Sequence, residues 1–189
     1  MEELKQRIQE EGIIISDQLL KLDSILNHQV YPDLVMRIGK EFAKRFRENG
    51  ISRVLTLESS GISIAFAVAL ELGVPLVFAR RKKTLTTDAD AYCERVPSFT
   101  KGIVTDIVVS KSFIHPNDRI LIIDDIIANG DAVRGLIRII QQSQAELVGL
   151  GVVIEKSFQA GGRTIREMGV PIESIVKIAS LDNGQITFG

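Results

Sequence analysis

Apolar residues recur along this chain with two periods. In the charged opening stretch Leu4 and Ile8 stand four apart, as on one face of a short surface helix. Residues 12–31 keep no clean period. They set the apolar triplet Ile13-Ile14-Ile15 among polar residues, which predicts a separate flap or cap segment. From Pro32-Asp33 onward the helical period is clear: Leu34, Ile38, Phe42 and Phe46 form one stripe, and Asn49-Gly50 stops it. A strand is predicted over 52–57. It is followed by Glu58-Ser59-Ser60-Gly61 and a helix of small apolar residues ending at Gly73.

A second strand over 75–79 runs into the basic cluster Arg80-Arg81-Lys82-Lys83. Residues 84–102 are mostly polar, a long irregular connection of the kind that serves compact domains as a functional lid. Strands are predicted over 104–109 and 118–124, the latter nearly all branched apolar, as in a strand covered on both faces. A helix follows over 131–142 with Val133, Leu136, Ile137 and Ile140 facing inward. Then come a strand over 147–154, a short helix over 164–168, a strand over 172–178 and a short closing strand. This alternation predicts an α/β fold: a mostly parallel sheet with helices on both faces. No repeat, low-complexity tract or linker divides the 189 residues, so they read as one domain.

Composition narrows the function classes. A net charge of −1 gives no broad basic field, which argues against nucleic-acid and membrane partners. The opening residues are too charged for a signal peptide, and a single cysteine, Cys93, cannot close an internal disulfide. The chain therefore reads as cytoplasmic. His28 and His115 stand in no metal spacing, and there is neither a Walker loop nor a nucleophile elbow.

The most informative segment is Ile120-Leu121-Ile122-Ile123-Asp124-Asp125-Ile126-Ile127-Ala128-Asn129-Gly130-Asp131-Ala132. Two adjacent carboxylates at the C-terminal end of a buried strand sit where open α/β sheets bind ligands. Buried carboxylates need donors or cations, and sugar hydroxyls are suitable donors. The glycine-containing turn that follows opens a helix, whose free N–H groups and dipole favour an anion. An acceptor pair beside an anion cradle suits a ribose 5-phosphate. A plain strand-turn-helix junction, with both aspartates capping or exposed, is the alternative reading of the same residues.

This segment resembles the phosphoribosyl pyrophosphate (PRPP) motif of the type I phosphoribosyltransferases. The resemblance implies that fold, with a mostly parallel central sheet flanked by helices. A small hood subdomain would be formed largely by residues 1–31 with help from the C-terminal region. It implies that Asp124 and Asp125 hold the ribose hydroxyls during catalysis. Ala128, Asn129, Gly130, Asp131 and Ala132 would wrap the 5′-phosphate. Most of the superfamily has hydroxyl residues where this chain has Asn129 and Ala132, and Asp131 puts a negative charge into a phosphate loop, so its side chain should point away. The Ala-Asn-Gly loop is similar to that of the bacterial xanthine phosphoribosyltransferases.

Further assignments rest on the same resemblance, which covers essentially the whole chain. Ser60 and Gly61 would belong to the pyrophosphate loop, where local sequence alone reads as a simple helix cap. Arg80 to Lys83 read first as a solvated charge run, but at the end of a strand beside this site they would face the leaving pyrophosphate; the residues after them resemble the family's mobile cover, with Tyr92 and Lys101 as candidates. Leu20, Asn27 and Lys156 match the purine-contacting positions; by themselves they are a core leucine, a turn residue and a lysine of no special meaning. Phe158 reads first as a core residue. The implied substrates are PRPP and xanthine, with Mg²⁺ bound along with PRPP and no direct protein metal ligand, in a homodimer. Adenine or hypoxanthine/guanine as the base, and a PRPP-sensing regulator without catalysis, are the alternatives.

Overall fold

A computed structural model describes residues 1–82, 90–98 and 103–189. Lys83 and Lys101, and with them most of the proposed cover, lie outside the described residues.

The chain opens with α1 (Glu2–Glu11), then a two-stranded antiparallel hairpin, β1 (Ile13–Ser16) and β2 (Leu19–Lys21), and a single helical turn at Asp23–Asn27. This is the segment without a period. Its apolar residues divide, with Leu20, Leu22, Ile25 and Leu26 buried while Ile13 and Ile15 face outward.

The main body alternates as the sequence predicts. The first half comprises α2 (Pro32–Phe46), β3 (Arg53–Leu57), α3 (Gly61–Leu72) and β4 (Leu76–Lys82). The strands β5 (Ala91–Ser98), β6 (Ile103–Ser110) and β7 (Arg119–Ile127) follow. The chain ends with α4 (Asp131–Ser143), β8 (Glu146–Lys156), α5 (Ala160–Glu167), β9 (Ile172–Ser180) and β10 (Thr187–Phe188). Eight strands form one sheet in the order β10-β9-β8-β7-β3-β4-β6-β5. The inner pairs from β9 to β4 are parallel. The outer pairs β10–β9, β4–β6 and β6–β5 are antiparallel.

Alternate residues of the central strands serve two cores. Val54, Leu121 and Ile123 pack with α2, α3 and the N-terminal hairpin. Leu55, Ile120 and Ile122 pack with α4 and with Ile107 and Val109 of β6. Burial on both faces is why β7 reads as an unbroken apolar run. At the end of the α2 segment Gly50 takes the left-handed conformation (φ 62°), as the Asn49-Gly50 stop predicts.

Several boundaries differ from expectation. β4 continues to Lys82, so Arg80 and Arg81 lie in a strand, and β7 continues to Ile127, so the aspartate pair lies within it. α5 starts at Ala160, four residues ahead of the predicted helix. The stretch read as wholly irregular contains β5, a hairpin partner of β6. This edge strand buries only Val96 among its described side chains and carries Pro97, so it lacks the apolar alternation that would announce it.

Candidate active site

The parallel strands end together on one side of the sheet, and the candidate residues gather there. β7 delivers Asp124 and Asp125 to two different clefts. Asp124 lines one of about 200 Å³ together with Ala128, Asn129, Gly130, Asp131, Ala132 and Arg81. Asp125 lines another of about 350 Å³, beneath the N-terminal hairpin, with Leu20, Asn27 and Ser60.

The first cleft offers backbone donors that an anion could use. Gly130 caps α4 with φ 80°, a conformation glycine adopts without steric cost, and no side chain caps the helix. The first N–H groups of α4 therefore stay available. Asp131 is turned to the helix side: its Oδ1 accepts from Arg134 Nη2 at 2.5 Å, and Arg134 Nη1 also donates to Thr164 at 3.1 Å. The negative charge that looked misplaced in the loop is thus paired. The opposite wall is Val96 and Pro97, from the strand the sequence hid.

Asp124 is 7% exposed and accepts the Asp125 backbone N–H at 3.0 Å. Burial, and after it the neighbouring charge of Asp125, hold its carboxyl well above the usual range, with Arg81 pulling weakly the other way. Such a carboxyl gains when a ligand brings hydroxyl donors to it. Gly61 opens α3 against it, and a Cβ at that position would stand 3.2 Å from Asp124 Oδ1.

In the second cleft Leu20 supplies an apolar wall, and it is also a core residue, 5% exposed. The Asn27 amide donates to Asp23 Oδ1 at 2.9 Å. Lys156 lines neither of these two clefts. It is 5% exposed at the end of β8, and its Nζ donates to the Gln18 carbonyl in the hairpin turn at 3.1 Å. Burial lowers its pKa. Gln159 Nε2 reaches the same turn, donating to Gln18 Oε1 at 3.0 Å. The hairpin is thereby fastened to the C-terminal end of β8 and the turn after it.

Both arginines of the basic cluster are engaged. Arg80 Nε pairs with Glu58 Oε2 at 2.6 Å, and Arg81 Nε donates to the Glu58 backbone carbonyl at 3.4 Å while its backbone N–H donates to Glu58 Oε1 at 2.5 Å. Tyr92 packs against the α4-side core, and Phe158 against the other core.

Two supporting groups escaped the sequence reading. Gly161 donates its N–H to the Ala128 carbonyl at 2.9 Å, bracing the 128–132 loop from behind. Glu155, whose side chain is 3% exposed, accepts two bonds from Arg166, at 2.5 and 2.7 Å, and one from Ser174. The pair Gly161-Gly162 in the first turn of α5 was the available signal, since two glycines at the start of a helix mark a close backbone approach.

Residues 22–163 match the model of the phosphoribosyl transferase domain, and the chain belongs to the phosphoribosyltransferase family. Its similarity reaches a particular branch. It is 53% identical to a xanthine phosphoribosyltransferase of Moorella thermoacetica over 188 residues, covering 100% of this chain and 96% of that one. With the xanthine phosphoribosyltransferase of Acinetobacter baylyi the identity is 50% over 185 residues, 98% and 97% of the two chains. Among solved structures the adenine phosphoribosyltransferase of Rhodothermus marinus superposes with a TM-score of 0.73 at 22% identity, covering 93% and 99%. That of Saccharomyces cerevisiae gives 0.73 at 21% over the same shares. These structures share the fold.

Proposed function

We propose that this chain transfers the 5-phosphoribosyl group of PRPP to N9 of xanthine, giving XMP and pyrophosphate in purine salvage. The observation that carries the reading is the division of the acidic pair, Asp124 lining the cleft at the α4 N-terminus and Asp125 the cleft under the hairpin. The full-length relatives point to xanthine as the base.

In this reading the 5′-phosphate sits on the N–H groups of Gly130, Asp131 and Ala132, with Ala128 and Asn129 completing the loop. Asp124 and Asp125 accept from the ribose hydroxyls and stabilise the positive charge that develops on the sugar. Ser60 and Gly61 present the α3 N-terminus to the pyrophosphate, and Arg80 and Arg81 leave Glu58 to join it. The C1′–pyrophosphate bond breaks, the N9–C1′ bond forms, and the N9 proton passes to solvent. Leu20 packs on the purine, Asn27 reads its edge, and Lys156 donates to a ring carbonyl. Residues 1–31 form the hood over the base. Phe188 of the C-terminal strand supports it by packing into the same core, and the 189 residues act as one domain.

No cluster of three or more His, Cys, Asp or Glu among the described residues is built to hold a metal. A Mg²⁺ bound along with PRPP would supply neutralisation of the leaving group, and its charge would relieve the repulsion between Asp124 and Asp125. A homodimer fits the exposed Phe66 and Leu70 of α3, and a groove of about 550 Å³ that includes Phe78 and Phe113. No helix among the described residues is long and apolar enough to cross a membrane, which accords with a cytoplasmic enzyme.

The test is a spectrophotometric assay with PRPP and Mg²⁺, offering xanthine, hypoxanthine, guanine and adenine separately. Fastest turnover with xanthine supports the reading. Turnover of adenine alone keeps the chemistry and overturns the base. PRPP binding without turnover of any base favours a sensor.

A further inference from the structure

Within the buried run Val54-Leu55-Thr56-Leu57 of β3, Thr56 is the polar member, fully buried. Its Oγ1 has no hydrogen-bond partner among the described residues. An unpaired buried hydroxyl destabilises a fold, and valine offers nearly the same shape without that cost. Packing alone therefore favours valine here, and the hydroxyl calls for another explanation.

Its surroundings supply one. A Cβ at Gly61 would collide with Thr56 Oγ1 while standing 3.2 Å from Asp124 Oδ1. The hydroxyl and the carboxylate therefore border one small space beside the Gly61 Cα, open because residue 61 has no side chain. Asp124 Oδ1 accepts one bond, from the Asp125 N–H. The charged groups acting on it are Asp125 on the same strand and Arg81 on β4. The hydroxyl has a proton to give, and the carboxylate is a suitable acceptor across that space.

We propose that Thr56 is a positioning residue for phosphoribosyl transfer: with PRPP bound, its hydroxyl donates to the Asp124 carboxylate and holds it ionised and facing the ribose. The inference rests on the reading of Asp124 as a ribose-holding residue. A donor to the charged form favours ionisation, so its removal shifts the carboxyl toward protonation at a given pH.

The experiment compares wild type, Thr56→Val and Thr56→Ser by steady-state kinetics across pH, thermal unfolding and calorimetric PRPP binding. Thr56→Val is expected to keep or raise the Tm while kcat/KM for PRPP falls about tenfold, the size of one hydrogen bond to a charged group. The acid limb of its pH profile is expected to move up by about one unit, with the KM for the base unchanged. Thr56→Ser is expected to restore both rate and profile. Wild-type kinetics and profile in Thr56→Val would overturn the proposal. So would equal losses in both variants with lowered Tm, which assign the role to the packing of the threonine side chain as a whole, and so would a loss in Thr56→Ser alone, which assigns it to the methyl group. If the wild-type protein forms no nucleotide with any base, the functional reading itself fails. Calorimetry then decides the role of Thr56: weaker PRPP binding in Thr56→Val supports it, and equal affinity overturns it.

Discussion

Replacing Gly161 with alanine adds one methyl group at the back of the 128–132 loop, which we propose holds the 5′-phosphate, and is expected to damage PRPP binding selectively. The new Cβ would collide with the Ala128 carbonyl oxygen and stand 2.7 Å from Gly130 N and 2.8 Å from Asn129 C. These are backbone atoms, so no side chain can rotate away. Either α5 retreats, breaking the Gly161–Ala128 hydrogen bond, or the loop moves into its own cleft. Overpacking of this kind costs about 1–3 kcal/mol, or a Tm loss of about 2–12 °C in a chain of this size. Because the displaced atoms belong to the anion cradle, the KM for PRPP is expected to rise at least about tenfold, the equivalent of losing one charge-assisted bond. The KM for the base should stay within about twofold. Steady-state kinetics with each substrate varied, beside differential scanning calorimetry, measure both. Gly169→Ala is the control, since its Cβ would meet nothing within 4 Å although its φ is 81°. It should lower Tm modestly and leave both KM values alone. A Gly161→Ala enzyme with an unchanged KM for PRPP would refute the view that α5 braces the loop.

Three further outcomes follow from the electrostatics. Asp124→Asn should abolish most activity yet raise Tm at neutral pH, by about 2–4 °C for each kcal/mol relieved. A carboxyl whose folded pKa is raised stabilises the fold only at low pH and opposes it once ionised. Lys156→Met should leave Tm little changed, because relief of the buried amine is offset by loss of its bond to the Gln18 carbonyl, while raising the KM for the base at least about tenfold and sparing that for PRPP; calorimetry and kinetics check both variants. At Glu155 desolvation pushes the carboxyl up, but the bonds from Arg166 and Ser174 win, leaving its pKa lowered. Its contribution is present above the ordinary carboxylate pKa of about 4.3 and is lost as pH falls through the lower folded value. Glu155→Gln should therefore flatten the acid side of the Tm–pH curve.

What was legible in the sequence follows burial. β3, β7 and β8 are covered on both faces and α2 and α4 on one, so their apolar patterns are complete, and the PRPP-like segment lies between two of the clearest. β5 was hidden because it is an edge strand, held to α4 by Glu94, which bonds Arg138 and Gln142, rather than by an apolar stripe. The hairpin over residues 13–21 was opaque because Ile13 and Ile15 point outward, defeating alternation. Candidates within the contiguous motif could be named in advance, and the fold gathers them at two clefts. The Gly161 brace, the Glu155 cluster and the unpaired Thr56 hydroxyl could not, since each depends on contact between segments distant in sequence. Lys156 was named by resemblance, but its hold on the hairpin turn at Gln18 emerged only from the fold.

The most direct test of the central claim is a competition. Equal concentrations of xanthine, hypoxanthine, guanine and adenine are given to the enzyme with limiting PRPP and Mg²⁺, and the nucleotides formed are separated and weighed by mass spectrometry. The account predicts XMP as the dominant product, and its loss in Asp124→Asn. AMP as the dominant product, or XMP formed undiminished by Asp124→Asn, would contradict it.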